Sequence, residues 1–133
     1  MMYHLKLYAA TFVGFLAIDI VWLALVARGF YKSQLGFLLS DQPNWWAAVV
    51  FYILFIAGLL VFAIFPGLQA ESLRKALLLG AFFGLVTYAT YDLTNHATVK
   101  NWPWIVTVVD MVWGTVLAAS VTAIAFGVGR WLR

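Results

Sequence analysis

Asp19, Asp92 and Asp110 are three of the chain's five acidic residues, and each falls inside a long apolar run. Of the eight Lys and Arg residues only Lys6 falls within those runs, at the very start of the first. A charged carboxylate near a bilayer centre costs about 2.5–3.5 kcal/mol on insertion scales, so three unpartnered ones would cost roughly 8–10 kcal/mol. That sum rivals the whole stability of a small domain. Each acid must therefore carry a proton, accept hydrogen bonds or be matched by a cation that the interiors of these runs do not contain. Read together, the three suggest one ion or proton site, because a carboxyl held there can take up and release a proton. The plainer alternative is that each bonds to Trp, Tyr or Thr and joins helices, at about 0.6–2 kcal/mol per contact. Asn or Ser would join helices more cheaply, which favours the functional reading. Lys100 or Arg28 reaching inward to Asp92 or Asp19 would favour the strut.

Two patterns extend this chemistry. Tyr88, Asp92, Asn95 and His96 fall at i−4, i, i+3 and i+4, one polar stripe of a helix, flanked by Tyr91, Thr94 and Thr98. Such a stripe would give water, protons or ions a route to Asp92. Asp92 and His96, one turn apart, could also ligate a divalent metal beside Asp19 and Asp110, an oxygen-rich set suited to Mn²⁺, Fe²⁺ or Zn²⁺. The competing reading of His96 is a surface histidine at a helix end. Second, Asp19-Ile20-Val21-Trp22 matches Asp110-Met111-Val112-Trp113. In antiparallel helices the copies would be inverted, with Trp113 roughly 3 Å in depth from Asp19 and Trp22 equally near Asp110. Reciprocal indole-to-carboxylate bonds are then geometrically possible, although a four-residue match in a Trp-rich chain also arises by chance.

The elements that must hold these groups follow from composition. With 133 residues, 65% of them hydrophobic and 10% charged, the chain departs far from a soluble globule. Cysteine is absent, which excludes thiolate metal sites and cysteine nucleophiles. The net charge of +3 resides on cations placed singly or in pairs at segment ends, a pattern of membrane anchoring and not of nucleic-acid binding. No haem, flavin or serine-nucleophile motif is present, and no cofactor is required.

Four spans are expected, at residues 5–27, 45–65, 76–95 and 104–128, each long enough for a hydrocarbon core of roughly 30 Å. Asp19 interrupts the stretch that a signal h-region needs, so the first run is read as a retained helix. Pro66-Gly67 is expected to stop the second, and Pro103 to open the fourth. Residues 30–39, which mix aromatic, apolar and basic groups, are expected to form a short helix in the interface. Trp45, Trp46, Trp102, Trp104 and Trp131 read as interfacial belt residues. The fold class is thus an all-α, single-domain membrane four-helix bundle.

With the N-terminus inside, Lys6, Arg74, Lys75, Arg130 and Arg133 face the cytoplasm, against Arg28, Lys32 and Lys100 outside; this favours both termini inside. Rise per residue puts Asp19 about 12 Å, Asp110 roughly 10 Å and Asp92 roughly 5–6 Å from one shared surface. All three are expected in that half, the outer one. Gly80 and Gly84 form a G-x-x-x-G pair that would seat the third helix on a neighbour in the same bundle, or else make a homodimer face.

At Tyr91-Asp92-Leu93-Thr94-Asn95, Trp102-Pro103 and Asp110-Met111-Val112-Trp113-Gly114, and at Asp19 and Trp22, the chain resembles a family of small bacterial inner-membrane proteins of unknown function. The resemblance implies a four-helix protein of the bacterial inner membrane and supplies no activity. From the residues themselves the expectation is ion or small-solute handling at Asp19, Asp92 and Asp110, with Tyr88, Asn95, Trp22 and Trp113 around them. A proton- or cation-coupled transporter, working as a homodimer, stands first. A membrane-embedded enzyme acting on a lipid or isoprenoid, and a non-catalytic scaffold or assembly partner, are the alternatives.

Overall fold

The computed structural model describes residues 1–133 as four helices and no strands. The helices span Met2–Leu35, Trp45–Gln69, Leu73–Thr98 and Trp104–Leu132, each long and apolar enough to cross a membrane. Short links make consecutive helices antiparallel. Asn44 caps the second helix by accepting from the Ala47 N–H at 3.1 Å, and Ser72 caps the third by accepting from Lys75 at 3.0 Å. Glu71 and Asn101 take left-handed backbone angles in the two tight links, with φ of 51° and 62°.

Three expectations change. The first helix does not end near Ala27. It continues through a wide turn with i→i+5 bonding at Leu23–Ala27 into Arg28–Leu35. Residues 30–35 are therefore continuous with the first helix and not a separate one. They are held inward because Leu35 packs with Trp102 and Val106. Nor does Pro66 stop the second helix. A similar wide turn at Leu60–Ile64, closed by the Phe65 N–H on the Leu60 carbonyl, precedes it. That turn relieves the clash a proline ring makes with the preceding turn, and the helix runs on to Gln69. Finally, Trp45, Trp46, Trp104 and Trp131 are exposed as belt residues should be, but Trp102 is buried and donates to the Thr107 hydroxyl at 3.0 Å.

The bundle is solid in one half. Leu7 and Phe15, one face of the second helix from Phe55 to Leu68, Ala76, and one face of the fourth from Leu117 to Phe126 form one buried cluster. It occupies the half where the first and third helices start and the second and fourth end. Tyr3 donates to the Gly129 carbonyl at 2.9 Å, and Arg133 to that of Leu68 at 3.2 Å, closing this end. Outward, Val13, Leu25, Leu54, Phe62, Phe82 and Val112 are all exposed. Apolar surface of that extent belongs against acyl chains, so the protein is a multi-pass membrane protein in contact with a bilayer.

The third and fourth helices approach most closely. In steps of four residues, Gly80 faces Thr122, Gly84 faces Ala118, and Tyr88 faces Gly114. A Cβ on Gly84 would stand 2.6 Å from the Ala118 Cβ, and one on Gly114 would stand 2.8 Å from the Tyr88 Cβ. The G-x-x-x-G pair thus works inside the bundle. Gly84→Leu is expected to destabilise the fold by about 1–3 kcal/mol or more through overpacking, read as a lower thermal midpoint in detergent. Gly127→Ala, whose added methyl meets nothing within 4 Å, should leave that midpoint unchanged.

Candidate functional site

The same four-residue ladder sets Asp92 opposite Asp110. Each lies six residues inside its own helix end, Thr98 and Trp104 respectively, or about 9 Å of rise. Asp92 is fully buried, and neither of its carboxyl oxygens receives a hydrogen bond from a neighbouring donor. The group within hydrogen-bonding reach is the Asp110 carboxyl itself. Asp110 is also buried and accepts the hydroxyl of Tyr31, which the continued first helix brings across. Neither Lys100 nor Arg28 stands among the groups acting on Asp19 or Asp92. Two carboxyls in contact without a cation can share a hydrogen bond only if one of them carries a proton.

Asp19 stands apart from this pair. No three carboxylate or imidazole side chains converge closely enough to hold a metal ion. Tyr88 lies between, within electrostatic range of Asp19, Asp92 and Asp110 together. The expected single cluster is therefore a pair and a third acid on either side of a tyrosine. The reciprocal indole bonds that the spacing allows do not form either. Trp22 and Trp113 instead stack face to face, with ring centroids 4.2 Å apart and planes 8° from parallel. Trp113 lies beside Asp19 without closing an aligned hydrogen bond, and its Nε1 is buried with no acceptor. Stacking prevails because the two indoles meet at one level where the helices cross, and Tyr31 already occupies Asp110.

The threonines along the outer part of the third helix are bonded within that helix. Thr90, Thr94 and Thr98 turn their hydroxyls back to carbonyls of their own helix. Asn95 reaches towards Tyr91. His96 Nδ1 meets the Thr107 hydroxyl at 3.2 Å. One ring nitrogen of the histidine that the spacing suggested as a partner of Asp92 is thus taken up by a hydroxyl.

A cavity of about 500 Å³ occupies the half of the bundle opposite the solid core. Asp19 and Asp110 line it, with Trp22, Trp113, Tyr52 and Tyr88 among its aromatic walls. Leu23, Leu39, Phe51 and Tyr91 lie at its margin and are themselves exposed, so it opens sideways between helices. Tyr31 and Leu35 cover it from the first helix. Asp92 does not line the cavity but meets Asp110, which does. Below, Phe55 packs on Phe15, Phe83 and Tyr88 at 5.5, 5.4 and 6.4 Å between ring centroids. This aromatic knot separates the cavity from the core.

Tyr31 and Tyr52 stand outside the residues that spacing singles out for the site. Tyr31 falls in a segment that reads as interfacial, and no local pattern links it to Asp110. A period-four stripe was available, however: Asp110, Gly114, Ala118 and Thr122 put three small residues and an acid on one face.

A family described as predicted membrane protein (DUF2177) matches residues 4–127, nearly the whole chain. The chain belongs to that family. No curated protein and no solved structure matches it.

Tyr31→Phe removes only the hydroxyl that Asp110 accepts. It is expected to lower the unfolding free energy by about 1–3 kcal/mol. A cycle with Asp110→Asn, followed by thermal melting in detergent, should show coupling of roughly 0.5–3 kcal/mol. Strict additivity would mean that the bond contributes nothing.

Proposed function

We propose that this family member binds a small solute in the acid-lined cavity and couples its movement to a proton held by Asp92 and Asp110. One observation carries the reading: a fully buried carboxyl, without a hydrogen-bond donor, touches a second carboxyl that forms the cavity wall. A strut that joins helices usually meets a donor on the facing helix, whereas Asp92 meets only a second acid. The geometry is costly to maintain unless the proton matters. The titratable groups that face the pair are Tyr31 from the first helix, Tyr88 and Tyr91 from the third, and, farther off, Asp19 and Tyr52. None is basic. A proton and a solute cation would therefore compete for the same negative charge, the elementary requirement of exchange.

The cavity has one open half and one solid half. Passage across the bilayer then calls for a second copy of the chain or a rearrangement of the packed end, and a homodimer is the simpler route. Lys6, Arg74, Lys75, Arg130 and Arg133 cluster at the solid end, which supports a cytoplasmic position for both termini and an outward-facing cavity. The bacterial inner membrane suits this arrangement. A lipid- or isoprenoid-processing enzyme would use the sideways opening, with Asp19 and Asp110 exposed to substrate.

Reconstituted vesicles with a trapped pH dye provide the test. An inward cation gradient is expected to drive proton efflux, and Asp92→Asn and Asp110→Asn should each abolish it. The amide introduced by Asp92→Asn can donate to Asp110, so this variant should hold or raise the thermal midpoint while flux is lost. Unchanged flux in Asp19→Asn, Asp92→Asn and Asp110→Asn would end the transport reading. Lost stability without a separate functional defect would favour the scaffold. For orientation, the chain has no cysteine, so Ser40→Cys offers a single label site. An impermeant maleimide should label it in intact cells, and protection there would reverse the topology.

A further inference from the structure

We infer that the cavity takes a lipophilic organic cation, a singly charged group carrying aromatic or aliphatic bulk. The inference rests on the reading of this cavity as the ligand site, and it names the substrate class. Charge is the first argument. The walls carry two carboxyls, Asp19 and Asp110, and no Lys, Arg or His. Asp19 is 8% exposed, lines the cavity and is held by no aligned hydrogen bond from the Trp113 indole beside it. An acid so buried, with an indole beside it and no cation, lacks a counter-charge, which a positively charged guest would supply. Anions are disfavoured on the same ground.

The second argument is the character of the walls. Eleven of the fourteen lining residues are hydrophobic, and Trp22, Phe51, Tyr52, Tyr88, Tyr91 and Trp113 contribute aromatic rings. Trp22 and Trp113, stacked on each other at 4.2 Å, both line the cavity. Ring faces attract cations, and they attract weakly hydrated organic cations without requiring a full set of oxygen ligands. A bare metal ion would need that set, and no three ligating side chains converge. The volume of about 500 Å³ exceeds what a small inorganic ion fills and falls within the range of pockets that hold drug-sized molecules. A neutral lipid would suit the apolar walls but leave both acids without a role. The exposed apolar margin at Leu23, Leu39 and Phe51 gives a lipophilic cation entry from the bilayer. Once inside, it would compete with Tyr31 for Asp110.

Equilibrium binding of radiolabelled tetraphenylphosphonium to the full-length protein in detergent tests this. Saturable binding is expected, with neutral triphenylphosphine oxide weaker by at least about tenfold. Asp19→Asn and Asp110→Asn should each weaken the phosphonium by a similar factor, while Asp41→Asn, at an exposed loop position, should not. Absence of saturable binding overturns the inference. So does binding of the neutral compound within about threefold of the phosphonium, which would mark a plain lipophilic pocket. That comparison uses the unaltered chain, so it decides the matter even if a variant fails to fold. Vesicle flux separates this from the transport reading. Phosphonium binding without flux leaves the substrate class standing and removes transport. Proton-coupled flux of sodium or potassium without phosphonium binding does the reverse.

Discussion

Two carboxyl groups facing each other across a helix pair, with no cation to match them, constrain the rest of this structure. The pairing requires the third and fourth helices to lie almost backbone to backbone. Glycines at 80, 84 and 114 allow that approach, and the residues they meet, Thr122, Ala118 and Tyr88, set the register. Once the register holds at those steps, Asp92 has no direction to face but Asp110. The acid contact is therefore a consequence of small-residue packing several turns away. Its energetic burden falls on the solid end of the bundle, where apolar side chains are most densely buried.

That division into a solid and a hollow half explains why one short chain can hold an open cavity at all. Leu7, Phe15, Ile56, Leu59, Leu117 and Val121 are fully buried at one end. At the other end large aromatic rings stand around space. Phe55 belongs to both, packing into the core while its ring edge meets Tyr88 beneath the cavity. Rings of this size span gaps that aliphatic side chains would leave open, and they lose little rotamer freedom in doing so. The walls can therefore stay in place around unfilled volume.

The wide turn at Leu23–Ala27 gives the first helix a second purpose. Up to Trp22 it contributes Asp19 and one member of the indole stack. Beyond Ala27 it contributes Tyr31 and Leu35, which cover the cavity and engage the fourth helix. An uninterrupted α-helix would present a different face after the turn, because the extra residue per turn shifts the angular position of everything that follows. Irregular turns of this kind often lie beside functional sites, and here the irregularity delivers a hydroxyl to a buried acid.

Much of this was legible in the residues. Apolar length and the placement of charges determined four membrane helices, and rise per residue put all three acids in one half, because both are local properties of a helix. G-x-x-x-G foretold a close helix contact for the same reason. What tertiary structure alone decided was the partner of each polar group: Tyr31 on Asp110, Trp102 on Thr107, Trp22 against Trp113 rather than on an acid. Such choices depend on how helices rotate about their axes and on where an irregular turn offsets them. A displacement of one residue swings a side chain by about 100°. Depth is therefore written in the order of the amino acids, whereas facing is settled only when the helices pack.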